Sequence, residues 1–269
     1  PDMIVYSPWR DPALLEMFPG RTQMEEYLQS VGIDAFAGFR KRYSTDANLA
    51  GLSYEAEELE SLQTPASIVE PQMGVWPADA PDATETATVV FESGRPVALN
   101  GERLDPLAMM QAANDLGGRN GIGLKHALEN RIVGTKSRGV YEAPGMELLG
   151  RGLLYVYQAT LDRRATELFQ ALSGQMARQV YDGRYFDPTT RALAAAIDVL
   201  AQYASGTVTM SLYKGNMVFV GLTDCPASIY NEEDSSMEAT DGLNPRSSQG
   251  YAEVQSVEAR ALARAGQLA

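Results

Sequence analysis

The amino-acid sequence predicts an α+β fold in which antiparallel hairpins pack with long helices, and three observations carry that prediction. Strand-like runs arrive as neighbours joined by short glycine turns, in "ATVVFESGRPVALNG" at 87–101 and "TVTMSLYKGNMVFVGL" at 207–222. Helical runs are grouped between 143 and 206 and do not alternate with strands, so repeating βαβ units are not the pattern. With 45% hydrophobic and 21% charged residues among 269, the chain has material for one large or two smaller cores.

Taken in order, "DMIVYSPW" at 2–9 reads as a short strand closed by Pro8. A strand needs ladder partners, and none lies near it in sequence, so they are expected upstream and the chain is read as a piece of something longer. "DPALLEMFPG" and "RTQMEEYLQSVGID" read as helices broken at Pro19-Gly20, because apolar residues recur at spacings of three and four. In "YSTDANLAGLSYEAEELESL" at 43–62, only the second half has helix-forming composition. Ser44, Asp46 and Asn48 there read as turn formers and Ser53 as the helix N-cap. "TPASIVEPQMGVWPADAPDATET" at 64–86 is too rich in proline for a regular helix and reads as a long loop, wrapping a surface near a site or flexible.

Beyond the 87–101 hairpin, "DPLAMMQAANDLGG" reads as a helix capped by Asp105 and stopped by Gly117-Gly118. "GGRNGIG" at 117–123 follows a helix and lacks the spacing of a dinucleotide or phosphate loop, so it reads as a stop and turn. The stretch 143–183 reads as one long or broken helix with Leu148, Leu149, Leu153, Leu154 and Val156 facing inward. A further helix starts at Pro188 and is expected to end at Gly206. The final "GYAEVQSVEARALARAGQLA" places Val254, Val257, Ala261, Leu262, Ala265 and Leu268 on one helical face.

Composition narrows the function. A net charge of −13 and a pI near 4.6 argue against nucleic-acid binding, which needs a basic face. The single Cys225 and single His126 exclude a disulfide framework and a Cys/His metal site built from this chain alone. A serine hydrolase would need His126 as its base, and no G-x-S-x-G elbow accompanies it. No apolar run is long enough for a membrane span and no secretory leader is legible, so a cytosolic protein is expected. Basic islands at 40–44 and 131–138 interrupt the acidic chain; they suit either an anionic substrate or solvated loops. "ENRIVGTKSRGVYEAPG" at 129–145 combines both charge signs with glycines and little periodicity, as either a solvated loop or a binding wall would.

Several of these segments, in order and over most of the chain, resemble one family, argininosuccinate synthase. The carriers are "YSTDANLAGLSYEAEELE", "FESGRPVALNG", "ENRIVGTKSRGVYEAPG", "VYDGRYFDP", "YKGNMVFVG" and "SIYNEE". The resemblance implies ATP-dependent ligation of citrulline and aspartate to argininosuccinate in arginine biosynthesis and the urea cycle, releasing AMP and pyrophosphate through a citrullyl-adenylate. It implies that Ser44, Asp46, Ser53, Glu55, Glu129 and Tyr141 line the citrulline pocket, with Ser44 and Asp46 also near the nucleotide, while ATP with Mg2+ is bound mainly by the amino-terminal nucleotide-binding domain. It assigns no catalytic nucleophile and no metal ligand in this chain. Arg131, Lys136 and Arg138 are read first as loop-anchoring ion-pair residues.

It implies three parts: residues 1–38 as the last strand and helix of an α/β nucleotide-binding domain, 39–250 as the synthetase domain, and 251–269 as a helix reaching neighbouring subunits of a homotetramer. The family's S-G-G-x-D-T-S nucleotide loop and its aspartate-binding segment are not found in this sequence. Two readings follow, a synthetase domain of a complete enzyme and a non-catalytic citrulline-binding and oligomerisation module that is inactive without the nucleotide-binding domain.

Overall fold

The computed structural model describes residues 2–33, 42–236, 244 and 246–268. Arg40 and Lys41 of the first basic island, the 38/39 boundary and most of 237–245 lie outside them. Residues 2–7 carry no ladder among the described residues; the strand expected there takes its partners from outside them. With no second strand beside it, extended backbone would leave its N–H and C=O groups unpaired, and Met3, Ile4 and Val5 instead stand exposed before a 3-10 turn at Pro8–Arg10. Helices α1 (Pro12–Met17) and α2 (Arg21–Ser30) follow as expected. The Asp11 carboxylate caps α1 by accepting from the Ala13 N–H, and the break falls at Phe18-Pro19-Gly20.

The stretch expected to be turn and helix is a hairpin. Strands β1 (Ser44–Asn48) and β2 (Gly51–Glu55) pair antiparallel, and only a 3-10 segment, Glu57–Glu60, survives of the helix. The cause is tertiary: alternate residues Leu52 and Tyr54 drop into a core with Leu59, Val69 and Val140, which fixes period two over a run too short to show it in the sequence. Asn48 remains a turn former, its side-chain oxygen accepting from the Ala50 N–H.

The proline-rich loop wraps this small core under tight tethers. The Trp76 indole donates to the Val69 carbonyl, and the Gln72 and Met73 N–H groups donate to the buried Glu142 carboxylate at 2.7 and 2.9 Å. Strands β3 (Glu85–Glu92) and β4 (Arg95–Leu99) form the expected hairpin around Ser93-Gly94, both with positive φ as a tight hairpin turn requires, and β5 (Glu102–Arg103) adds a short edge.

Helix α3 (Pro106–Arg119) is capped by Asp105 as expected, but it runs through Gly117-Gly118. Both glycines are buried, and a side chain at Gly118 would strike the Met73 carbonyl while one at Gly117 would meet Pro144. They are close-approach residues inside the helix, and the turn comes at Asn120-Gly121.

Strands β6 (Leu124–Asn130) and β7 (Lys136–Glu142) form a second unexpected hairpin, out of the segment that looked least periodic. Helices α4 (Pro144–Thr160) and α5 (Arg163–Tyr181) break at Leu161-Asp162, with the Asp162 carboxylate accepting from the Ala165 N–H. Leu148, Leu149 and Val156 are buried as expected; Leu153 is partly buried and Leu154 is 36% exposed, which corrects its inward assignment. Helix α6 (Pro188–Ala201) ends before Gly206, which instead opens β8 (Gly206–Tyr213), paired with β9 (Asn216–Thr223) through Lys214-Gly215. A short α7 (Glu232–Ser235) and the long α8 (Arg246–Arg264) follow, and α8 buries none of its residues.

Two antiparallel sheets result, with strand orders β1-β2-β7-β6 and β5-β4-β3-β8-β9. The larger packs on α3 and α4 through Val89, Phe91, Leu116, Leu148, Val156 and Met210. The smaller presents one face to the Tyr54 core and leaves the other open.

Candidate functional site

Register decides what that open face displays. Residues directly opposite one another in an antiparallel ladder point to the same side, and alternate residues along a strand share a face. Ser44 lies opposite Glu55, Glu55 opposite Gly139, and Gly139 opposite Ala127; in the next row Asp46, Ser53, Tyr141 and Lys125 succeed one another across the sheet. One step toward the β6–β7 turn, Ser137 lies opposite Glu129. Ser44, Asp46, Ser53, Glu55, Glu129 and Tyr141 therefore share one face of the β1-β2-β7-β6 sheet. Asp46 is the most peripheral, exposed on the edge strand.

At the centre of this face one guanidinium joins two carboxylates. Arg131, in the β6–β7 turn, donates from Nη2 to Glu55 Oε2 at 2.5 Å and from Nε to Ser137 Oγ at 2.7 Å, with Glu129 Oε1 3.7 Å from Nε. The turn that carries it is held by the Arg131 N–H on the Thr135 carbonyl and the Gly134 N–H on the Arg131 carbonyl. Hydrogen bonding to Glu55 is the main reason that the Arg131 guanidinium is held still more firmly protonated than usual. Partial burial, reinforced by the neighbouring Glu129 carboxylate, pushes the Tyr141 phenol up to about 12, so it is a neutral donor at physiological pH.

Clefts flank the face. One of 460 Å³ is lined by Glu55, Glu60, Arg131, Lys136, Ser137 and Arg138; another, of 400 Å³, lies between α2 and the sheet and is lined by Arg21, Glu25, Ser44, Asp46 and Glu55 among others. Immediately after Glu55 the backbone is strained: Ala56 has φ 69° with ψ 179°, and Glu57 has φ 53°. A non-glycine residue in that conformation persists only where its surroundings hold it, and such strain gathers at functional sites.

The basic residues of the segment divide. Arg138 lies on the opposite face, donating to the Leu59, Ser61 and Thr64 carbonyls and to His126 Nε2, so it fastens the 59–64 turn to the back of the sheet. Lys136 bonds Asn130 across its own hairpin. Arg131 alone of the three turns its charge into the predicted cluster. Sequence reasoning missed Ser137 and Gly139 on the open face and Glu142 behind it. Their only signal was position: they alternate with Arg138 and Tyr141 along one strand, which is legible once the strand is known.

Behind the face, Glu142 is 1% exposed and accepts from the Tyr54 hydroxyl as well as from Gln72 and Met73. Burial and this carboxylate raise the Tyr54 phenol far above its ordinary range. Because Tyr54 alternates with Ser53 and Glu55, and Glu142 follows Tyr141, this buried lock sets the register in which the open face is displayed.

The family model described as "Arginosuccinate synthase C-terminal domain" matches residues 43–262, which takes in both sheets and most of α8. The chain belongs to the argininosuccinate synthase family. A curated argininosuccinate synthase from Rhodopirellula baltica is 41% identical over 261 residues, covering 97% of this chain and 64% of that protein. The chain thus spans less than two thirds of the length of this argininosuccinate synthase. Its mixed helices and antiparallel sheets agree with the α+β class predicted for it.

Whether the displayed residues suit ATP itself can be judged from their chemistry. The Ser44–Asp46 end of the face is lined by the carboxylates of Glu25, Asp46 and Glu55 against the single guanidinium of Arg21. That set repels a triphosphate and does not fit one. Among the described residues, no group of three or more His, Cys, Asp or Glu side chains is placed to hold a metal ion, and no helix is long and apolar enough to cross a membrane.

Proposed function

We propose that this chain supplies the citrulline-binding wall of an argininosuccinate synthase, a ligase that joins citrulline to aspartate with ATP cleaved to AMP and pyrophosphate. The observation that carries the reading is the shared face: Ser44, Ser53, Glu55, Glu129 and Tyr141 come from four strands to one surface around Arg131.

Citrulline is a zwitterion with a neutral ureido tail. Glu129, its carboxylate 3.7 Å from a guanidinium and accepting from the Ser137 hydroxyl, suits the ammonium. Ser44 and Ser53 hydroxyls donate to carboxylate or ureido oxygen, and the neutral Tyr141 phenol can donate or accept. Chemistry of this kind needs positioning and charge complementarity more than a nucleophilic side chain, and no residue of the wall is assigned as one. ATP, Mg2+ and aspartate are assigned to parts of the synthase beyond this wall, since the Ser44–Asp46 end of the face does not fit a triphosphate.

The same reading makes α8 an assembly element reaching neighbouring subunits of a homotetramer, supported by its exposed Tyr251, Val254 and Val257. It also makes the protein a cytoplasmic enzyme of arginine biosynthesis. The test is AMP release by the intact protein with citrulline, aspartate and ATP. Release should require citrulline, and Ser53→Ala should raise the KM for citrulline several-fold while the KM for ATP holds. Citrulline-independent release, or equal shifts in both constants, contradicts the reading.

A further inference from the structure

A glycine stands in the middle of β7 where a side chain would ordinarily stabilise the strand. Gly139 is buried, and it faces the candidate site between Glu55 on β2 and Ala127 on β6. Its backbone needs no special conformation, being extended and fully laddered on both sides. Glycine inside a strand marks a place where something else approaches closely. Here the approaching group is visible. A Cβ built on Gly139 would fall 2.6 Å from the Tyr141 hydroxyl oxygen and 2.7 Å from its Cε2 and Cζ atoms, so the phenol ring lies along the strand and rests on the glycine. Tyr141 shares this face with Glu129, whose carboxylate lies near enough to act on the phenol.

We propose that Gly139 is a positioning residue of the substrate wall, its missing side chain being the seat that lays the Tyr141 ring across the sheet and turns its hydroxyl toward the Glu129 side of the face. Any larger residue lifts the ring off the sheet and moves its hydroxyl from its present place on the face, while the ladder hydrogen bonds of β7, which are main-chain, stay in place. The contact atoms are the far end of a side chain, so the ring gives way and the backbone does not. The inference rests on the citrulline reading only for its consequence in binding; the seating itself is testable without substrate.

The experiment is a cycle of Gly139→Ala and Tyr141→Ala in the intact protein, read in two ways. With tyrosines labelled at 13Cζ, the Tyr141 line, assigned by its loss in Tyr141→Ala, should move in Gly139→Ala while the other tyrosine lines stay. An unmoved Tyr141 line in a folded Gly139→Ala protein overturns the proposal, whatever citrulline does. In steady-state kinetics Gly139→Ala should raise the KM for citrulline about tenfold in the wild-type background and less than twofold once Tyr141 is already Ala. Equal effects in both backgrounds make the glycine a general strand requirement and also overturn it. Should Gly139→Ala fail to fold, the double variant must recover the fold, because the ring it clashes with is gone, and failure to recover counts against the proposal. A wild type that shows no citrulline dependence sinks the functional reading and leaves the carbon line to decide the seating.

Discussion

Arg131 is the residue on which the charge balance of the face depends, because it holds Glu55 directly and Glu129 at 3.7 Å. Its side chain is 39% exposed, so solvent screens the pair and the stability at stake is modest. Arg131→Met should lower unfolding stability by only about 1 kcal/mol, while raising the KM for citrulline roughly tenfold, a loss of about 1.4 kcal/mol in binding, since Glu55 and Glu129 are then free to leave their present places. Urea titration beside steady-state kinetics separates the two effects. Tyr141 carries a pH prediction. Its folded-state pKa of about 12 lies above the ordinary 10.0, so the folded protein keeps the phenolic proton more tightly than the unfolded chain. Stability from this group is complete below pH 10 and is lost as pH rises through about 12. Tyr141→Phe should flatten that part of the stability curve, measured by denaturant midpoints across the alkaline range.

Elements place these residues, and the β2–β7 pairing does most of that work through its buried side. Glu142→Ala would leave the Met73 N–H without its acceptor and the Gln72 N–H and Tyr54 hydroxyl with only their longer bonds, to Tyr54 Oη and the Glu70 carbonyl, each at 3.1 Å. The cost should be about 3 kcal/mol, with the 64–84 loop becoming the first site of limited proteolysis. Ala56→Gly, by contrast, should stabilise by about 1 kcal/mol, because φ 69° with ψ 179° is a glycine conformation; a lower denaturation midpoint would contradict the strain.

The same elements mark what could be read from the sequence. Hairpins 85–99 and 206–223 were legible because each is a β-branched or aromatic run with a tight glycine turn. The two site hairpins were not. Their open faces carry Ser44, Asp46, Ser53 and Glu129 in place of apolar residues, and their buried faces are too short to set a visible period, so local rules assigned caps and turns. Gly117-Gly118 misled for a related reason, since a glycine kept for close packing looks like a helix stop.

At the scale of the molecule, the family and its candidate residues were legible while their arrangement was not. Long ordered motifs pointed to the family, yet only the strand register brings Ser44 and Glu129, from opposite edges of the sheet, onto one surface. The opening apolar run cannot be judged alone, because pairing is a property of the whole fold. Helix α8, with no buried residue, belongs to this scale as well. Val254→Asp with Val257→Asp should lower the assembly mass in light scattering while leaving the thermal midpoint of the subunit core nearly unchanged. An unaltered mass would remove α8 from the assembly.

The central claim, that the open face of the four-stranded sheet is a citrulline wall, is tested most directly by calorimetry of citrulline with the intact protein and its Glu129→Ala variant. The account predicts saturable binding to the wild type and a loss of at least tenfold in affinity in the variant, with an unchanged circular dichroism spectrum. Wild-type affinity retained by a folded Glu129→Ala protein would contradict it.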